Sequence, residues 1–207
     1  MRNLVAGLMF LALPALADAQ EVRIVALGDS LTHGYGLPED EGFVPQLEAW
    51  LHGNGAPWAR VINAGVSGDT TAGGLARLDW SLSDGADALI VALGGNDLLR
   101  GIDPAASRAN LEAILQEAED RDLPVLLSGM RAPGNYGREF QDAFNAMYPE
   151  LAETHGARLD PFFLAGVESD RTLWQSDGIH PNAEGVAVIV ERIGPMVRDL
   201  AEDARTR

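Results

Sequence analysis

Four short apolar runs constrain the fold most: "VRIVAL" (22–27), "RVINA" (60–64), "ALIVAL" (88–93) and "PVLLSG" (124–129). Each carries β-branched residues and is bounded by turn residues, so each reads as a buried strand rather than a helix. Amphipathic stretches lie between and after them, at roughly 43–52, 71–82, 104–121, 138–155 and 182–201. "ARLDPFF" (157–163) offers a fifth, short strand. Strand and helix in alternation give a parallel sheet covered on both faces. No repeat, low-complexity run or linker divides the chain. The expectation is one α/β domain, a three-layer α/β/α sandwich of flavodoxin-like type with about five parallel strands.

The first strand ends in "GDSLTHG" (28–34). Gly28 frees the backbone for a tight turn. Ser30 then stands just past the strand end, where open α/β sheets place ligands. Taken alone, Asp29 or Ser30 could simply cap the next helix. Three further polar motifs argue for more: "NAGVSGDT" (63–70), "GGNDLLRG" (94–101) and "SDGIHPN" (176–182). The first three motifs follow strands whose carboxyl ends share one sheet edge, and all four are expected in loops. Residues far apart in sequence can therefore meet there, which capping does not explain.

Composition narrows the chemistry. The chain has no Cys and no Lys, for all fifteen basic residues are Arg. That removes disulfides, thiolate nucleophiles, zinc–thiolate sites, Schiff bases, Ser–Lys dyads and the P-loop lysine. The only His are His33, His52, His155 and His180. A net charge of −16 argues against nucleic acid as a partner and against docking on anionic lipid.

The N-terminus has the pattern of an export signal. Arg2 precedes an apolar run from Leu4 to Leu16, and Ala17 and Ala19 flank Asp18 in a small-residue cleavage pattern. The run is short for a membrane span. The expected division is a signal peptide over 1–19 and a domain over 20–207, exported to the periplasm or medium, with no stable membrane anchor.

A serine nucleophile needs a base, an orienter for the base and donors for a developing oxyanion. Ser30 supplies the hydroxyl. His180 is the candidate base, and Asp177, three residues earlier, can hold its other ring nitrogen. The candidate oxyanion donors are the Ser30 and Gly68 N–H groups and the Asn96 amide. Asp69 or Thr70 is expected to cap the following helix, which places Gly68 beside a helix start. Neither Ser30 nor Ser67 sits in G-x-S-x-G, because Thr32 and Asp69 replace the second Gly; the α/β-hydrolase elbow is disfavoured.

These four blocks, in this order, resemble the GDSL or SGNH hydrolases, whose letters fall on Ser30, Gly68, Asn96 and His180. "SGDT", "LGGNDLLRG", "NYG" and "DGIHPN" are most similar to the bacterial periplasmic thioesterase I, lysophospholipase L1 and arylesterase subgroup. The resemblance implies a Ser30–His180–Asp177 triad and an oxyanion hole of Ser30, Gly68 and Asn96. It implies a small-molecule ester or thioester substrate: an aryl ester, a short-to-medium acyl ester, an acyl thioester or a lysophospholipid. No cofactor or metal is expected, and a monomer is the expected state.

Other readings compete. Asp29, Asp69, Asp97, Asp177 and His180 could gather a cation, although no H-E-x-x-H or paired His supports it. A non-catalytic module could use the same loops to bind an anion or a sugar, and a carbohydrate acetylesterase could arise within the same family. For an acyl chain, the expected wall is Leu98, Leu99, Met130, Pro133 and Tyr136, from the loops after strands three and four.

Overall fold

The computed structural model describes residues 21–207. The export segment read at 1–19, and Gln20 after it, lie outside the described residues. Five strands form one sheet: β1 Val22–Gly28, β2 Ala59–Gly65, β3 Ala88–Ala92, β4 Val125–Ser128 and β5 Arg158–Asp160. Their order is β2-β1-β3-β4-β5, and every pairing is parallel. β3 is central and buried throughout, as expected for a continuous apolar run covered on both faces. β5 is only three residues long because Pro161 follows it and cannot donate to the ladder.

Among the described residues eight α-helices accompany the sheet: α1 Ser30–His33, α2 Phe43–Gly53, α3 Thr71–Ala76, α4 Leu78–Leu82, α5 Gly95–Leu99, α6 Pro104–Asp120, α7 Arg138–Thr154 and α8 Ala183–Arg205. α8 packs on α2 and touches β1, β3 and β4. Elsewhere α6 packs against both α3 and α7, α7 against β4 and β5, and α4 against β1. The core lies between these layers, with Ile24, Leu27, Leu89, Ile90, Leu111 and Phe144 fully buried.

Three expectations need correction. The single amphipathic stretch at 71–82 is two helices, broken at Arg77, whose backbone leaves the helix (φ −112°, ψ 8°). Its side chain is tied to the sheet, as described below. Ser30 and Asn96 do not lie in loops but in the first turns of α1 and α5. Gly28 has no positive φ. It is needed for space instead, since a Cβ there would stand 2.0 Å from the Thr32 hydroxyl. α1 can therefore press directly onto the end of β1.

The order places β1 between β2 and β3, which is the switch point of a doubly wound sheet. The chain leaves β2, β1 and β3 along one edge, so "SGDT", "GDS" and "GGND" become neighbours.

Candidate active site

Asp29 caps α1 by accepting the Leu31 N–H at 3.0 Å. Ser30 follows as the first helical residue. The capping reading of "GDS" is thus correct, and it is also what presents the serine. The Ser30 hydroxyl lies 2.8 Å from His180 Nε2. His180 Nδ1 lies 2.6 Å from Asp177 Oδ2. An ionised carboxylate only accepts, so Nδ1 carries the proton and Nε2 is left to accept from Ser30.

The D-x-x-H spacing is closed by the backbone as well. Asp177 Oδ1 accepts the Ile179 and His180 N–H groups at 2.9 and 3.0 Å. The His180 side-chain bond, together with these two amides, holds the Asp177 carboxyl down at about 2. The Tyr35 ring lies against the imidazole, with centroids 4.7 Å apart.

Gly68 sits in the left-handed region, at φ +87°, where a side chain is disfavoured. The preceding turn closes through Asp69 N–H on Val66 C=O at 3.0 Å. Thr70, not Asp69, caps α3 by accepting the Gly73 N–H. Among the described residues, neither the Ser30 nor the Gly68 N–H has a backbone acceptor. Asn96 Nδ2 donates to Asp29 Oδ2 at 3.2 Å, leaving its second N–H free. Ser30, Gly68, Asn96 and His180 line one cleft of about 340 Å³.

The cleft wall is mainly apolar. Of the residues named from sequence as an acyl wall, Leu98, Leu99 and Met130 line it. Pro133 and Tyr136 do not. Tyr136 turns away onto Phe140, with ring centroids 4.9 Å apart, and its hydroxyl reaches the Leu99 carbonyl. It thereby braces the C-terminal end of α5. Leu31, Tyr35, Phe162, Leu164 and Ile179 complete the wall and were not anticipated. Arg131 stands at the wall with its guanidinium 5.0 Å from the Phe162 ring centroid. The adjacency of Leu31 to Ser30 and of Ile179 to His180 was the one available sequence signal.

Sequence reasoning also missed Arg77. Its guanidinium donates to the Gly28 and Ala64 carbonyls, both at 2.8 Å, and to Asp69 Oδ2 at 2.6 Å. One side chain thus joins the ends of β1 and β2 to the turn that carries Gly68. Asp97 does similar work for α5: fully buried, it accepts from Thr71 N–H at 2.8 Å and from the Ser107 hydroxyl at 2.8 Å.

The carboxylates considered for a cation do not converge. Asp29, Asp69, Asp97 and Asp177 each direct oxygens at a protein donor. Among the described residues no three metal-ligating side chains cluster.

This geometry has known relatives. Residues 26–188 match the model of the GDSL-like Lipase/Acylhydrolase family. The chain is 39% identical over 198 residues to the "Esterase TesA" of Pseudomonas aeruginosa, covering 95% of this chain and 98% of that protein. It is 36% identical over 193 residues to the "Thioesterase 1/protease 1/lysophospholipase L1" of Escherichia coli K12, covering 93% and 91%. The crystal structure of AlinE4, an SGNH-hydrolase family esterase, superposes with a TM-score of 0.74 at 48% identity, covering 87% of this chain and 96% of that one. With three motif blocks at one sheet edge, the fourth brought onto Ser30 through His180, and a family match over most of its length, the chain belongs to the GDSL-like lipase/acylhydrolase family.

Proposed function

We propose that the protein is a serine-dependent carboxylic ester hydrolase acting on esters or thioesters with an apolar acyl or aryl group. The observation that carries this is the unbroken line Ser30 Oγ, His180 Nε2, His180 Nδ1, Asp177 Oδ2 at the wall of an apolar cleft. A binding module would have no use for a base-paired hydroxyl beside three unspent donors.

In this reading His180 takes the Ser30 proton as Oγ attacks the carbonyl carbon. The oxyanion is held by the Ser30 and Gly68 N–H groups and by the free Asn96 N–H. The bond to the leaving oxygen or sulfur breaks, and His180 returns the proton to that atom. Water, giving a proton to His180, then attacks the acyl carbon; the bond from that carbon to Ser30 Oγ breaks, His180 returns the proton to Oγ, and the acid leaves. Asp177 keeps the imidazole in one tautomer and balances its transient positive charge. All five residues come from one chain, so the site needs no second copy, and we take the working unit to be a monomer.

The test is reaction with a fluorophosphonate. Adduct mapped to Ser30, and lost in Ser30→Ala, is the expected result. Adduct at Ser67, or none, would overturn the reading. Export is part of the same proposal: protein recovered outside the cytoplasm should have lost residues 1–19, which intact mass reports. Among the described residues no helix is long and apolar enough to cross a membrane.

A further inference from the structure

The Asp29 side chain is buried, at 2% exposure, and both its oxygens are engaged. Oδ1 caps α1 through the Leu31 N–H. Oδ2 receives Asn96 Nδ2 from the far side of the cleft. A cap requires one oxygen, and Ser, Thr or Asn supplies it without burying a charge. Burying a carboxylate is costly, and here burial pushes the carboxyl up to about 6. The second oxygen is what a neutral cap would lack.

An Asn side chain is two-ended. Its amide nitrogen donates and its carbonyl oxygen accepts, in nearly the same shape. A carboxylate accepts only, so it admits the nitrogen end and rejects the oxygen end. With one N–H spent on Asp29, the second N–H of the same nitrogen is directed away from the carboxylate and is free for the cleft. If the amide turned over, a carbonyl would stand where that nitrogen was and would repel an oxyanion. Gly95 fits this pairing, for a Cβ there would come within 3.2 Å of Asp29 Oδ2.

We propose that Asp29 is a positioning residue that fixes the polarity of the Asn96 amide, keeping a donor rather than an acceptor in the oxyanion hole. Asp29 stands to Asn96 as Asp177 stands to His180. This rests on the ester-hydrolase reading above and deepens it.

Asp29→Asn is the sharp test. The new amide keeps an oxygen for the Leu31 cap but turns a donor toward Asn96, which favours the inverted amide. At pH 8 with a soluble aryl ester, kcat should fall by about 10²-fold or more, the loss expected for one oxyanion donor, with KM within about threefold. Asn96→Ala should show a similar loss. In the Asn96→Ala background, Asp29→Asn should change kcat by less than about threefold, because the residue it acts through is gone. Asp29→Ser keeps the cap with no second oxygen and should fall between wild type and Asp29→Asn. A trifluoromethyl ketone, which forms the tetrahedral adduct on Ser30, should lose affinity in parallel with kcat. Multiplicative losses in the double variant would overturn the proposal and leave the hydrolase reading intact. A full-rate Asn96→Ala enzyme would overturn the oxyanion role of Asn96, and this proposal with it. Fluorophosphonate labelling of Ser30 judges the hydrolase reading separately.

Discussion

Replacing Arg77 by Met keeps the apolar stem and removes the guanidinium. Arg77 and Asp69 are largely buried, with side-chain exposures of 17% and 19%. An exposed ion pair would contribute about 0–1 kcal/mol. A fully buried pair broken on one side costs about 3–5 kcal/mol, chiefly because the surviving charge is stranded. Arg77 lies between these limits, but it also holds the Gly28 and Ala64 carbonyls, and hydrogen bonds from a charged donor contribute about 1.5–3 kcal/mol each. A loss of about 3 kcal/mol follows. Urea unfolding, read by fluorescence of the four tryptophans, should show it as a midpoint lower by about 1.5 M for a slope near about 2 kcal/mol/M. In an Asp69→Asn background the same replacement should cost about 1–2 kcal/mol less, since no carboxylate is stranded. Because the held carbonyls end the strands that lead to Ser30 and toward Gly68, kcat should fall about tenfold as well. A loss under about 1 kcal/mol, or strict additivity with Asp69→Asn, would refute the account of Arg77 as a clamp between β1, β2 and the Gly68 turn.

Truncating the cleft wall should change chain-length preference more than turnover. Leu99→Ala and Phe162→Ala should flatten the rise in kcat/KM with acyl length, each buried methylene contributing about 0.8 kcal/mol at most; esters from acetyl to decanoyl, below their micelle concentrations, read this. Pro133→Ala should leave the profile unchanged, because Pro133 is not part of the wall. Asp177 is held at about 2 by the His180 side chain and two amides. Its depressed value means that its contribution to stability is present above about 4 and is lost only as pH falls through about 2. It stays ionised through the working range, so no acid limb of the pH profile belongs to Asp177 itself, and Asp177→Asn should lower kcat at every pH, by up to about 10⁴-fold.

Much of this arrangement was legible because burial writes itself into sequence as period. The β3 run "ALIVAL" is apolar without interruption since both faces are covered, and α7 and α8 show a helical stripe for the opposite reason. The motif residues were legible because their types are chemically restricted: with four His and no Lys, few partners existed for Ser30. What was hidden depends on side-chain direction. Arg77 lies in a stretch whose period continues from 71 to 82, and nothing local distinguishes an inward guanidinium from a solvated one. Tyr136 follows β4 as expected, yet its ring turns onto Phe140, and loop membership does not state which way a ring points. Phe162 and Leu164 lie in and just beyond a segment read as strand. Pro161 ends that strand early and releases them toward the cleft.

Asp29 allows stability and turnover to be set against each other. Its carboxyl moves from an ordinary 3.8 up to about 6, mainly by burial; the Leu31 and Asn96 donors and the charge of His180 oppose the shift, and Asp97 adds to it. The folded protein therefore binds a proton on Asp29 more readily than the unfolded chain does. Between about pH 4 and 6 the folded state holds more protons, so stability falls as pH rises, and the penalty is complete above that window. That rise, from 3.8 to about 6, corresponds to about 3 kcal/mol. Asp29→Asn keeps the α1 cap and removes the titration. Relative to wild type it should gain up to about 3 kcal/mol at pH 8 and little at pH 4, as urea unfolding at both values would show. His180 and Asp97 face Asp29 and lose their interaction with its charge in the variant, so the comparison reads Asp29 together with those couplings. If the two proteins keep a constant difference from pH 4 to 8, the buried charge does not carry this cost. If the gain appears together with the loss of kcat, then the fold would be more stable without the carboxylate, and its place beneath the Asn96 amide is explained by turnover alone.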